Sequence, residues 1–375
     1  MLYNFLWQLV ASLPLLNKKK ITKLLFIMKK YYLLIVMSFA ALGVMAQSTI
    51  VATLTHAGVT TEYYGENAFV TAVEASVDGD LITLSEGLFK GTTINKSLNI
   101  RGNGVGSTQI TSDVILDKSA DENEENHWLN IEGITFNADI KIKEPSSSEG
   151  LYVVKNLCMK RCDIKNFGFE GRYRHSTLKN CSFINCRITN KIDLCNVCEV
   201  SFINSIVSGY NYLYSGEEIN PKVNMLNCVI INNLMPSQAS PLNAKNSVLL
   251  FNDGNGYQSS WYIFPTTVSF QNCVISGNLY TGYVNMFFNN GIPHDKTIWM
   301  PMEEVFATLT EYSKYDATND YQLKEIASEG VDGTLLGIYN GEVPYTSTVT
   351  YPHFTTFNVA EKAVDGKLSV EVATE

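Results

Sequence analysis

The residues able to do chemistry are few and scattered. His175 stands alone in the stretch 156–278, and no Gly-His-Gly surrounds it. Asp163 and Asp193 have no second acid close by in the sequence. General acid–base catalysis needs titratable groups within hydrogen-bond reach of one shared atom. Arg172 and Arg174 flank Tyr173, and Lys160-Arg161 precede Cys162; such side chains line a groove or serve as ordinary surface charge. Cys195-Asn196-Val197-Cys198 is a lone CxxC with no second pair at zinc spacing, and so reads as packing or a local disulfide. The acidic insert at residues 120–127 carries oxygen donors that suit calcium, but a charge run is ordinarily a solvated loop. No catalytic residue, metal set or cofactor is assigned on this basis.

Aromatic residues are the better lead. Tyr210, Tyr212 and Tyr214 alternate in one stretch, and Tyr257, Trp261 and Tyr262 gather in another. Aromatic rings present large apolar faces with a polar tip, which suits exposed binding surfaces and the faces of sugar rings. The competing role is to pack over the wall of the fold as satellite clusters under long loops.

What must position these residues is a repeat. Asn, then Cys or Ser, then any residue, then an apolar one recurs at Asn180-Cys181-Ser182-Phe183, Asn185-Cys186-Arg187-Ile188, Asn204-Ser205-Ile206-Val207, Asn227-Cys228-Val229-Ile230, Asn246-Ser247-Val248-Leu249 and Asn272-Cys273-Val274-Ile275. With the copy at Asn185 left out, successive Asn positions lie 24, 23, 19 and 26 apart. A period near twenty residues means stacked units. In a strand, residues two apart share a face, so the Cys or Ser and the following apolar residue point inward together. Asn tolerates the left-handed conformation of a sharp corner and can bond to backbone, and stacking predicts an Asn ladder. Within residues 156–278 Asn-Gly and Asp-Gly turns are nearly absent, confined to residues 253–256, which argues against a series of hairpins. The fold class expected is all-β: a right-handed parallel β-helix. By the same register Val229, Val248 and Val274 point outward on successive coils. Such an apolar stripe needs a cover, expected from residues 280–298.

The chain has 375 residues, 45% hydrophobic, and a formal charge of −9. That suits one elongated domain. It argues against nucleic acid as a partner, because phosphate binding needs clustered Lys and Arg. Four of the eight Cys fall at inward repeat positions, where a small buried thiol is at home. Met28-Lys29-Lys30, an apolar run over residues 31–43 and Val44-Met45-Ala46 before Gln47 compose a cleavable signal peptide. Met28 is the expected start and residues 1–27 an extension. The apolar run is shorter than the roughly 20 residues of a span, so no integral membrane segment is expected after cleavage. The organisation expected is residues 1–46 as extension and signal peptide, 47–345 as β-helix with caps, and 346–375 as a tail with strand-like alternation. Residues 67–77 read as a capping helix with Phe69, Ala72, Val73 and Val77 on one face, and residues 301–312 as a second helix.

The stretch Gly79-Asp80-Leu81-Ile82-Thr83-Leu84, with Ala72-Val73 before it and Phe89 after it, resembles the opening of parallel β-helix proteins of the pectate-lyase-like (pectin lyase fold) superfamily of secreted bacterial type. Ser97-Leu98-Asn99-Ile100-Arg101-Gly102 and Leu129-Asn130-Ile131-Glu132-Gly133-Ile134-Thr135-Phe136 resemble its coils. The resemblance implies a fold more than an activity, since that superfamily holds lyases, hydrolases and proteins without known chemistry. The expected function is non-catalytic binding of a glycan or other surface component. It would occur outside the cell, at its surface, or in the periplasm of a Gram-negative cell. The alternatives are a polysaccharide lyase or glycoside hydrolase acting on an acidic polysaccharide, and a structural, adhesin-like solenoid.

Overall fold

The computed structural model describes residues 50–117, 127–144, 152–170, 176–195, 199–213, 222–232, 242–252, 268–278, 294–308, 315–328, 335–346, 354–359 and 370–374. The chain divides into units Met1–Thr49 and Ile50–Glu375, and every described residue belongs to the second. The extension and signal peptide lie outside the described residues, as do most of the acidic insert and residues 280–293.

The fold is a parallel β-helix. One wall, the first sheet, stacks Leu81–Leu84, Leu98–Arg101, Leu129–Glu132, Leu157–Lys160, Cys181–Ile184, Val200–Ile203, Val223–Leu226, Leu242–Lys245, Val268–Gln271 and His294–Asp295 in parallel. The other wall, the second sheet, stacks Gly87–Phe89, Thr108–Ile110, Thr135–Ile142, Asp163–Phe169, Arg187–Cys195, Ile206–Ser208, Val229–Asn232, Val248–Asn252, Val274–Asn278 and Ile298–Trp299. In the first sheet Ile100, Ile131, Met159, Phe183, Phe202, Met225, Ala244 and Phe270 stack one above another and are buried. Phe183 and Phe202 lie face to face at 4.9 Å. Each coil thus buries the apolar residues of the next, the period-2 alternation placing them inside.

The corner from first to second sheet explains the repeat unit. Arg161, Asn185, Asn204, Asn227, Asn246, Asn272 and Lys296 all have φ between 46° and 54° there. Asn reaches this left-handed region at lower cost than other side chains. The next residue turns inward and caps the corner. Cys186, Ser205, Cys228, Ser247 and Cys273 each donate to the carbonyl two residues back, at 2.8–3.5 Å. Each also reaches a carbonyl of the preceding coil, at 3.2–3.4 Å. A small side chain with one donor is what the position requires.

The register expected from Asn180 needs correction. Asn156 and Asn180 form a separate corner that enters the first sheet. The column that continues through Asn204 starts from Asn185, the copy set aside above. Asn180-Cys181-Ser182-Phe183 pairs with Glu199 and Val200-Ser201-Phe202, not with another repeat unit. The Asn ladder forms where Asn180 Nδ2 donates to Asn156 Oδ1 at 2.8 Å and Asn272 Nδ2 to Asn246 Oδ1 at 3.0 Å. It is broken at Asn204 and Asn227, whose amides donate to carbonyls of residues 335–340.

Helix Ala68–Ala75 buries Ala68, Phe69, Ala72 and Val73 over the first coil. It is shorter than expected: Ser76 is extended, and Val77 is 49% exposed instead of lying on the buried face. The Lys96 ammonium closes the helix end, donating to the carbonyls of Val73, Glu74 and Ser76 at 2.7–3.0 Å, a favourable place for a cation. The second expected helix is one turn, Met302–Val305; Phe306 is already extended and bridges Leu323. In the tail, Phe354–Val359 and Val370–Thr374 pair antiparallel with each other.

Val229, Val248 and Val274 do point away from the core, and they are covered. Together with Ile206, Ile231 and Leu250 they form a second apolar cluster with Met300, Val305, Phe306, Tyr321, Leu323, Ala327, Leu336 and Ile338. The cover described thus comes from residues 300–306, 315–327 and 336–345. The segment expected to supply it, residues 280–298, lies mostly outside the described residues.

Candidate functional site

The outward positions of the first sheet form two columns. Asn99, Asn130, Cys158, Ser182, Ser201, Asn224, Asn243 and Ser269 align in register as the first. Apart from Cys158, each offers an amide or hydroxyl, and none is fully buried. Asn130 Nδ2 donates to Asn99 Oδ1 at 3.0 Å, and Ser269 Oγ to Asn243 Oδ1 at 2.7 Å. The second column runs Arg101, Glu132, Lys160, Ile184, Ile203, Leu226, Lys245, Gln271 and Asp295. Coils stack about 4.8 Å apart, so one wall presents a regular rail of hydrogen-bonding groups. Beside it lie a charged patch, an apolar trio centred on Ile203, and a second polar patch.

The charged patch is concave. Asn99, Arg101, Asn130, Glu132, Cys158 and Lys160 line a hollow of about 130 Å³. Glu132 is bound by the Arg161 guanidinium, which leaves the hollow with a positive balance. Among the described residues, no ion pair is formed by Arg101 or Lys160. This cationic hollow lies in a chain whose formal charge is −9.

The second sheet carries a different cluster. The Arg187 guanidinium binds both carboxylate oxygens of Asp163 on the preceding coil and lies 5.8 Å from the centre of the Tyr315 ring. Burial pushes the Asp163 carboxyl up, against the pull of Arg187. Burial also works against the charge of Arg187, yet its bonds to Asp163 hold its pKa above the ordinary value. Burial raises Tyr315 and Tyr345 beside it. The pair is closed off by the cover, so it acts as a latch for residues 315–345 more than as a reactive site.

The structure redistributes the sequence candidates. Tyr210 is 4% exposed and belongs to the main core, so its ring packs inside the coil instead of offering a face to a ligand. It opens the strand Tyr210–Leu213, which pairs with residues 192–195, so this stretch is wall before it becomes insertion. Tyr212 lies in the same strand. Tyr214, Tyr257, Trp261 and Tyr262 lie outside the described residues, as do His175, Arg172, Tyr173, Arg174 and Cys198. Asp193 pairs with Lys191 at 2.7 Å. Lys160 and Arg161 do meet at a groove, as a free cation and as the partner of Glu132. Among the described residues no three His, Cys, Asp or Glu side chains converge to hold a metal ion. The Cys column is structural: Cys181, Cys228 and Cys273 have thiols pushed up to about 12 by burial. Sequence reasoning missed the polar rail. Its one signal was the Leu-Asn-Ile text shared by residues 98–100 and 129–131, which was read for fold alone. No family model, curated protein or solved structure matches the chain.

Proposed function

We propose that this protein is an exported, non-catalytic β-helix that binds an extended glycan along the outward face of its first sheet. The observation that carries the reading is the rail from Asn99 to Ser269, one small amide or hydroxyl side chain on every coil but that of Cys158. A sugar chain presents hydroxyls at regular intervals with apolar ring faces between them. Amides and hydroxyls serve the hydroxyls, and the apolar trio Ile184, Ile203 and Leu226 suits the ring faces. Arg101 and Lys160 in the hollow suit an anionic substituent, held by charge-assisted hydrogen bonds. In chain order Tyr214 precedes the first-sheet strand that opens at Val223, and Tyr257, Trp261 and Tyr262 precede the one that opens at Val268. Export rests on the signal-peptide pattern and on the resemblance to secreted β-helix proteins.

The test is a polysaccharide array probed with the purified protein and with an Arg101→Ala/Lys160→Ala variant, followed by calorimetry on the hits. Binding to one or more polysaccharides is expected, weakened about tenfold or more in the variant for anionic ones, the loss typical of a charge-assisted contact. Equal binding by variant and parent would remove the hollow from the site. No binding across the array would overturn the glycan reading.

A further inference from the structure

The two ends of the first sheet differ. The C-terminal edge is the two-residue strand His294–Asp295, followed by exposed Lys296, short and charged in the way that discourages strand addition. Among the described residues the N-terminal edge lacks such protection. There Val51–His56 pairs antiparallel with the first coil, and Val59–Tyr64 pairs with Val51–His56. Ala57 and Gly58 make the tight turn between them, with φ 47° and 81°. Val59–Tyr64 therefore ends the twelve-stranded sheet. It is six residues long, without Pro, Lys or Arg, and rich in β-branched and aromatic residues. Val59 is 68% and Tyr64 61% exposed.

The hydrogen-bond phase of this edge follows from the register. Gly65 N donates to Ile50 O at 2.9 Å, so 50/65 is a hydrogen-bonded pair. Narrow and wide pairs alternate in an antiparallel ladder. Hence Tyr63, Thr61 and Val59 bond inward to Ala52, Leu54 and His56. The N–H and C=O groups of Thr60, Glu62 and Tyr64 point to the open side. Three donors and three acceptors thus stand in a row with no neighbouring strand among the described residues.

We propose that this edge pairs with the same edge of a second copy, antiparallel about a two-fold axis. The open groups all sit at even positions, so a two-fold register that bonds them must pair residues whose numbers sum to an even value. A sum of 124 sets Glu62 against Glu62, a like-charge confrontation. A sum of 122 avoids it: Thr60 faces Glu62, Val59 faces Tyr63, and Thr61 faces Thr61 on the axis. The strand's single charge then meets a hydroxyl, and no charge opposes its like. The interface is isologous and closed, so it stops at a dimer. It joins two first sheets into one, and two copies of the polar wall would bind a repeating ligand with avidity. The pairing itself does not depend on the glycan reading.

The test is light scattering on the purified protein over a range of concentrations, with three variants. Thr60→Pro removes an outward N–H and is tolerated at an edge. It should yield a monomer with the melting temperature that the parent shows when diluted to a monomer. Thr61→Pro removes an inward N–H and should damage the hairpin instead. Thr61→Cys sets two thiols opposite each other at a non-hydrogen-bonded position, where Cβ atoms approach closely enough for a disulfide. Mild oxidation should cross-link it to a dimer on a non-reducing gel. A parent protein that stays monomeric throughout would overturn the proposal. So would a dimer that survives Thr60→Pro, or a Thr61→Cys variant that fails to cross-link.

Discussion

Asn204 makes the sharpest test of how this fold is held together, because it does two separable things. Its backbone sits at φ 46°, and its side chain is 1% exposed. Its amide donates to the Ile338 carbonyl at 2.8 Å and to the Asn340 carbonyl, pinning the cover to the corner. Asn204→Gly keeps the left-handed backbone and removes both bonds. At about 1 kcal/mol for each net hydrogen bond the loss is about 2 kcal/mol, and the extra freedom of Gly in the unfolded chain adds about 0.5–1 kcal/mol. Asn204→Ala removes the same bonds and adds a left-handed cost of about 1–2 kcal/mol, for a total of about 3–4 kcal/mol. Asn180→Gly is the control: its φ is 56° and, among the described residues, its amide serves only Asn156 Oδ1. One bond lost there predicts about 1 kcal/mol plus the same Gly term. Urea denaturation followed by circular dichroism reads all three. The order expected is Asn204→Ala worst, Asn204→Gly next, Asn180→Gly least. If Asn204→Ala proved no worse than Asn204→Gly, the corner would not be strained. If Asn204→Gly matched the parent, the contacts to Ile338 and Asn340 would not hold the cover.

Other substitutions test the register and the buried groups. Ile230→Asp places an unpaired charge at a buried position and should cost several kcal/mol, while Ser182→Asp on the outward rail should stay within about 0.5 kcal/mol; equal melting shifts would contradict the assignment of faces. Of the six described thiols, half-buried Cys158 should alkylate first at pH 8, and Cys181, Cys228 and Cys273, held near pKa 12, only on unfolding. Cys228 labelling at the rate of Cys158 would show the coil to be open. His127 is buried, with its Nδ1 3.2 Å from Ser97 Oγ, and burial lowers its pKa below the ordinary 6.5. The unfolded chain therefore binds the proton first as pH falls. As pH falls, stability should drop from about 6.5 down to the depressed folded value, and this contribution should be level above pH 6.5. His127→Gln should flatten that limb, and an unaltered pH profile would remove His127 as its origin.

The sequence carried the fold because each coil repeats one local problem. A chain that turns from one sheet to the other needs a residue that tolerates φ near 50° and, next to it, a small inward donor. Asn followed by Cys or Ser states both, and copies at Asn204, Asn227, Asn246 and Asn272 stack as expected. The unit misled at Asn180 because a second corner, entering the first sheet, uses the same chemistry; only strand pairing separates it from Asn185. The helix expected at residues 301–312 forms at Met302–Val305 but stops there for another reason. Val305 and Phe306 are apolar at helical spacing, but both are claimed by the cluster over Val248 and Val274. Phe306 leaves the helix to bridge Leu323, so tertiary packing overrode a short periodic signal.

The candidate site was hard to see for the converse reason. An inward position must be apolar whatever the protein does, so its type is fixed and its period shows. An outward position is constrained only by what covers it. On the second sheet the outward residues turn from Arg187 to Ile206, Val229, Val248 and Val274 where the cover begins. That change of type was legible as a stripe, and it correctly demanded an intramolecular cover. On the first sheet one outward column stays small from Asn99 to Ser269 and, apart from Cys158, polar. Any one of these Asn or Ser residues is unremarkable on a surface, and their spacing of 19 to 31 residues hides the column. The two walls are built from the same coils and differ only in these positions. The wall covered by its own chain is apolar on its outward face, and the other keeps a polar rail beside half-buried Ile184 and Ile203 and exposed Leu226. That difference, more than any single residue, is what the proposed placement of binding on the first sheet rests on.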